Sequence, residues 1–274
     1  MSMKIIVVAP DSFKGSLTSA EVADAVERGI KDVFPQCNVV KAGVADGGEG
    51  TVEAIVKAVG GDMYAASVTD PLGRPVKAAY GIVRSGGVKT AVMEMSAASG
   101  LPLLLPDELN PWITSTYGTG EMISDALNRG CRKFLVGIGG SATNDAGTGM
   151  LSAVGVRCLD SRGQRLKGCG GDLESIARID MSSLMPAARE SEFIVACDVN
   201  TPFCGPDGAA RVFAPQKGAD PQTAEALDRG MRSFARVIAG QFQTDIVPLS
   251  GAGAAGGLGG AFKACLNARR TAGI

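Results

Sequence analysis

Two hydrophobic periods run along the chain, and the change from one to the other predicts its organisation. Residues 3–9 place a charge before Ile5-Ile6-Val7-Val8, which reads as a buried strand. Thr18 and Glu21 form a capping box, and Val22, Val26, Ile30 and Val33 then recur at helical spacing. Residues 37–44 read as a second strand, which opens through 45-ADGGEGT-51 into a helix with Val52, Ile55, Val56 and Val59 on one side. This β-α-β-α order is the start of a parallel sheet with covering helices.

From Asp62 to residue 100 apolar and polar positions alternate, with turn signals at 70-DPLGRP-75 and 85-SGG-87. That pattern predicts short, partly antiparallel strands and a domain boundary near residue 66. Residues 1–66 therefore read as the N-terminal part of a Rossmann-like α/β domain, and 67–274 as a second α/β domain with a mixed sheet. Within the second, Met122, Ile123, Ala126 and Leu127 mark a helix stopped by Gly130. Residues 133–137 form a strand that runs into 138-IGGSATNDAG-147 and a helix through Val154. Residues 193–197 form another strand ending at Asp198, and a helix covers roughly 222–238.

These elements put polar loops at four strand ends. Asp11, Ser12 and Lys14 follow the first strand, and Asp46 and Glu49 the second. Gly139 to Asp145 follow a third and Asp198 a fourth. In α/β sheets ligands sit outside the carboxyl ends of strands, so the four loops together predict a site.

Composition narrows the chemistry. The chain has no histidine among 274 residues, which removes Ser-His-Asp triads and histidine-based zinc sites and leaves acid–base work to Asp, Glu, Lys, Tyr or Cys. A formal charge of -1, with no basic stripe, argues against nucleic acid and anionic membranes as partners. No apolar run approaches a membrane span. Seven cysteines without a Cys-x-x-Cys pair suggest reduced thiols in the cytoplasm. The oligomeric state stays open, with a homodimer among the alternatives.

Glycine supplies 38 residues, about twice the usual share of roughly 7%, and two segments fit dinucleotide fingerprints. One is Gly137-Ile-Gly139-Gly140-Ser141-Ala142, with Asp160 at a distance suited to a ribose. The other is Gly251-Ala-Gly253-Ala-Ala-Gly256, whose small residues equally suit a packed helix start. The first is unusually polar, because Ser141, Thr143, Asn144 and Asp145 follow its glycines. Hydroxyl and amide donors suit phosphate oxygens, whereas an acid at a helix start needs an intervening cation. That favours phosphoryl transfer with a metal over dinucleotide binding, although Asn144 or Asp145 would also serve as a plain helix cap. An NAD(P)-dependent oxidoreductase is the rival reading. The Walker lysine loop is absent. Lys14, Arg74 and Lys217 are each either ordinary loop cations or anion contacts; Arg74 would fork a carboxylate.

The motifs taken together resemble the bacterial type-1 glycerate kinase family. The matching stretches are 9-APDSFKGSLTSAE-21, 44-VADGGEGT-51, 69-TDPLGR-74, 93-MEMSAASGL-101, 115-STYGTGE-121, 137-GIGGSATNDAGTGML-151, 198-DVNTPFCG-205, 213-FAPQKGA-219 and 251-GAGAAGGLG-259. The resemblance implies ATP- and Mg²⁺-dependent phosphorylation of D-glycerate to 2-phospho-D-glycerate, in a cleft between two α/β domains. On that footing Gly139, Gly140, Ser141, Thr143 and Asn144 would hold ATP phosphates, and Lys14 would neutralise the moving charge. Asp198 or Asp46 would take the hydroxyl proton, and Asp145 would hold Mg²⁺. Asp11, Ser12, Arg74 and Lys217 would face the substrate. Family chains usually continue past the equivalent of Gly259. The resemblance therefore implies a missing C-terminal completion, and with it a third reading: a non-catalytic, truncated binding protein. The final segment 261-AFKACLNARR-270 is read as a helix.

Overall fold

The computed structural model describes residues 5–10, 13, 16–17, 19–41 and 50–272. In chain order the regular elements are β1 (Ile5–Val8), α1 (Ser19–Val33), β2 (Asn38–Lys41), α2 (Thr51–Val59), β3 (Gly61–Thr69), β4 (Pro75–Ser85), β5 (Val88–Glu94) and α3 (Ser96–Ser99). There follow α4 (Tyr117–Asn128), β6 (Lys133–Gly137), α5 (Thr148–Ala153), β7 (Arg157–Leu159), β8 (Arg178–Asp180), α6 (Pro186–Arg189) and β9 (Glu192–Ala196). The chain ends with α7 (Ala209–Phe213), α8 (Pro221–Phe242), α9 (Ala254–Leu266) and β10 (Arg269–Thr271).

β1 and β2 pair in parallel as a sheet of their own. The main sheet has the order β10-β9-β6-β5-β4-β3. Its strands β10, β9, β6 and β5 run parallel, while β4 and β3 turn back antiparallel, as the alternating stretch after Asp62 predicts. β7 and β8 make a small antiparallel ribbon. The pattern change placed near residue 66 falls inside β3; the chain enters the large sheet at Gly61.

Side chains alternate between the two faces of the large sheet. Ala91, Met93, Phe134, Val136, Phe193 and Val195 join the principal core. There Phe193 stacks on Phe134 at 4.7 Å between ring centroids and meets Phe262 of α9 at 5.8 Å. Val83, Val92 and Leu135 face the other way, against Val52, Ile55 and Val56 of α2. The last helix of the opening β-α-β-α run thus packs on the second sheet.

Two expectations need correction. The first strand is not buried: Ile5 and Val7 are each 64% exposed and only Val8 is inside. A two-stranded sheet can shield alternate residues with one covering layer, and no described element covers the Ile5–Val7 face. The helix that follows the 138–147 loop begins at Thr148, after Ala146 (φ 50°) and Gly147 (φ 71°) adopt left-handed conformations. The final helix ends at Leu266, where Asn267 takes a left-handed cap, and residues 269–271 become β10 beside β9. The Thr18 capping box lies outside the described residues. α8, by contrast, opens as its composition suggests. Asp220 caps it by accepting from Thr223 N at 2.7 Å, and Pro221 occupies the first turn.

Candidate active site

Parallel pairing sets Gly137 at the end of β6 opposite Ala196 at the end of β9. The loops that leave them, 138–147 and 197–200, therefore start side by side at the carboxyl edge of the sheet. Two of the four loops predicted to converge are thereby neighbours. Asp11, Ser12, Lys14 and Asp46, from the other two, lie outside the described residues.

The first loop is layered. Gly139 and Gly140 are exposed, Ser141 is nearly buried, and Thr143, Asn144 and Asp145 are fully enclosed. It is tied inward by Leu101 N donating to Gly140 O at 2.9 Å and Ala142 N donating to Ser99 O at 2.9 Å. Ala146 N donates to Gly256 O at 2.9 Å. Among the described residues the amides of Gly139, Gly140 and Ser141 have no protein acceptor, which leaves them open to solvent or to an anion. Deeper in, Thr143 Oγ1 and Asn144 Oδ1 are buried without hydrogen-bond partners.

Asp145 was expected to meet a metal, but its carboxylate is already engaged. Oδ2 accepts from Thr116 N and Thr116 Oγ1, both at 2.8 Å, and from Gly149 N at 3.2 Å. Oδ1 accepts from Gly147 N at 2.9 Å. Burial pushes its pKa up, against the lowering pull of these donors. Three backbone amides and a hydroxyl around two oxygens suit the ionised form, which here clamps the start of α4 to the start of α5.

Lys217 comes to the same loop from 74 residues beyond Thr143, on a short 3-10 turn, Pro215–Lys217. Its Nζ donates to Thr143 O at 2.6 Å and lies 2.7 Å from Ser141 Oγ. Burial lowers its pKa to about 7, although the Asp145 charge pulls the other way. It underlies the loop that sequence reasoning assigned to phosphate.

Asp198 is exposed in the neighbouring loop. Arg270 of β10 fixes that segment: Nε donates to Cys197 O at 3.1 Å and Nη2 to Asn200 Oδ1 at 2.8 Å. Arg74 is otherwise employed. Its guanidinium donates to Asp70 Oδ2 at 2.6 Å, to both oxygens of Glu108 at 2.5 and 3.2 Å, and to Leu103 O at 3.3 Å. Those carboxylates raise its pKa further. The expected fork for a substrate carboxylate is occupied by the protein's own acids.

Sequence reasoning passed over Glu94. It ends β5 opposite Gly137, is nearly buried, and accepts from Val52 N of α2 at 3.1 Å. The signal was present, since an acid closing the apolar run 91–93 stands out. The rival dinucleotide reading loses its support. Asp160 sits in a tight turn, accepting from Arg162 N at 2.9 Å and Gln164 N at 2.8 Å, after a strand outside the main sheet. Of the second glycine segment, Gly256 packs against the first loop, where a Cβ would come within 2.2 Å of Thr143 O, while Gly251 and Gly253 lie against the backbone of residues 199–202.

Comparison with known proteins identifies the family. The model of the glycerate kinase family matches residues 6–274. A glycerate kinase of Haemophilus influenzae is 48% identical over 268 residues, 98% of this chain and 70% of that protein. A glycerate 2-kinase of Escherichia coli is 46% identical over 269 residues, again 98% of this chain and 70% of its own length. The crystal structure of a chain assigned as glycerate kinase 2 from Salmonella typhimurium superposes with a TM-score of 0.87 at 45% identity, covering 99% of this chain and 72% of that one. With its glycine loop, its buried lysine and its strand-end aspartate in one continuous match, the chain belongs to the glycerate kinase family.

Proposed function

We propose that the chain transfers the γ-phosphoryl group of ATP to the 2-hydroxyl of D-glycerate, giving ADP and 2-phospho-D-glycerate. One observation carries this reading: the exposed Gly139–Gly140 turn, with unused amides and a buried lysine beneath it, leaves the sheet next to the Asp198 loop. The similar proteins named glycerate kinase and glycerate 2-kinase support it.

Phosphoryl transfer asks a protein mainly for positioning and electrostatic stabilisation. In the proposed step the 2-hydroxyl oxygen of glycerate attacks the γ-phosphorus as the bond to the bridging oxygen breaks. ADP leaves with that electron pair. The hydroxyl proton passes to a carboxylate, and Asp198 is our assignment, with Asp46 the alternative. The amides of Gly139–Ser141 would hold phosphate oxygens, with Thr143 and Asn144 forming the inner layer. Lys14 would offset charge on the transferring group, and Asp11 and Ser12 would contact glycerate.

Mg²⁺ enters this scheme only as the companion of ATP. Among the described residues no group of three or more Cys, Asp or Glu side chains is set to hold a metal ion, and Asp145 is saturated. These residues do not form a magnesium cage, which is consistent with a cation that keeps waters and binds mainly to substrate phosphates. We assign the protein to the cytoplasm, where its seven unpaired cysteines suit a reducing environment. No helix among the described residues is long and apolar enough to cross a membrane.

Proton-coupled phosphorus NMR of the chain with Mg·ATP and D-glycerate tests the reaction. A new phosphomonoester doublet is the expected result; a triplet would move the product to the 3-hydroxyl, and no signal would refute the activity. Asp198→Asn should lower kcat about 100-fold or more if it takes the proton. Near-full turnover with an unchanged pH profile would remove it from that role.

A further inference from the structure

Lys217 poses a problem that phosphate binding alone does not explain. It is 1% exposed, yet among the described residues no carboxylate touches it. The turn that carries it is pinned by Lys217 N donating to Ala214 O at 3.0 Å, and Gly218 follows with φ 95° against the Leu109 backbone. The amine is therefore held inside. Among the described residues the amine bonds to Thr143 O, which only accepts, and Ser141 Oγ, which can donate or accept. Among the described residues Asp145, on the loop it contacts, is the only ionised group with a resolved effect on it, and that carboxylate is engaged elsewhere.

The two protonation states of the amine dictate opposite orientations of Ser141. A neutral amine keeps one lone pair. It can donate to Thr143 O and accept the Ser141 O–H, so the serine hydrogen is spent inward. An ammonium has no lone pair and must donate to Ser141 Oγ. The serine hydrogen then turns away from Lys217, toward the face where Gly139 and Gly140 meet solvent. Burial disfavours the charged form, whereas an anion placed above the loop favours it.

We propose that Lys217 is a positioning residue whose proton is bound together with the phosphate: protonation reverses the Ser141 hydrogen bond and frees the Ser141 hydroxyl to donate to a phosphate oxygen. The proton comes from solvent, and no covalent bond changes. The inference rests on reading Gly139–Asn144 as the phosphate seat. Its depressed pKa, about 7, places the free protein where such coupling is large above neutral pH.

The test is calorimetric titration of the full chain with Mg·ATP, without glycerate, in buffers of different ionisation enthalpy between pH 7 and 9. Wild type should take up on the order of one proton per nucleotide at the alkaline end, and its Kd should rise by up to about tenfold per pH unit above neutrality. Lys217→Met should bind more weakly at pH 7 and lose that proton uptake and slope; Lys217→Arg, permanently charged, should bind without the slope. Ser141→Ala should lose about tenfold in affinity at pH 7 and much less at pH 9, where the wild-type hydroxyl already points inward. Nucleotide binding without proton uptake by wild type, or a slope that persists in Lys217→Met, overturns the proposal. Failure of wild type to bind Mg·ATP at all would instead bring down the phosphate-seat reading, and this inference with it. The wild-type titration decides even where a variant folds poorly.

Discussion

Replacing Gly256 with alanine should damage the 138–147 loop from behind. Gly256 sits at φ 65°, ψ 32°, a left-handed conformation that costs an alanine about 1–2 kcal/mol. An ideal Cβ there would lie 2.2 Å from Thr143 O and 2.5 Å from Asn144 Cα, where ordinary contact begins at 3.4 Å. Both are backbone atoms, so neither can rotate away; the loop must retreat by roughly an ångström. That movement strains the 2.9 Å bond from Ala146 N to Gly256 O and the 2.6 Å bond from Lys217 to Thr143 O. Each weakened bond adds about 1 kcal/mol, giving a loss of about 3–4 kcal/mol. Urea unfolding followed by circular dichroism would measure it, and a melting scan should fall by about 6–16 °C. Gly240→Ala is the control. It makes the same chemical change at an exposed position of helix α8 with nothing within 4 Å, and should gain up to about 1 kcal/mol. A Gly256→Ala protein as stable as wild type, binding nucleotide normally, would show that the second glycine segment does not brace the first.

Other consequences follow from the same site. Asp145→Asn keeps the shape but presents an amide to donors that need acceptors, and should cost about 2–4 kcal/mol in urea unfolding; a neutral result would discount the clamp between α4 and α5. For Lys217 the folded pKa lies below the ordinary lysine value, so the unfolded chain binds more protons between about pH 7 and 10. Stability of the ligand-free protein should therefore rise with pH in that window, by on the order of 1 kcal/mol per unit, and Lys217→Met should remove the rise. Arg74→Ala should leave the KM for glycerate within about threefold of wild type, because Asp70 and Glu108 already hold the guanidinium; a tenfold rise in KM at constant kcat would restore Arg74 to the substrate.

Local pattern alone determined much of this protein. Alternation after Asp62 announced the antiparallel strands β3 to β5, and Gly130 marked the end of α4, where it takes φ 85°. Apolar runs before Gly139 and Asp198 located two strand ends of the site, because a buried parallel strand must be apolar and its loop need not be. What a side chain faces was decided by tertiary structure. Asp145 and Asp198 look alike in sequence, yet one is enclosed by backbone donors and the other is exposed. Arg74 and Lys217 both read as loop cations; one is held by Asp70 and Glu108, while the other crosses 74 residues to reach Thr143 in the 138–147 loop. The two glycine fingerprints proved to be one structure, with Gly256 against Thr143. Such pairings depend on contacts between segments distant along the chain. Periodicity reports only which face of an element is apolar, so it carries no record of which partner that face or loop will meet.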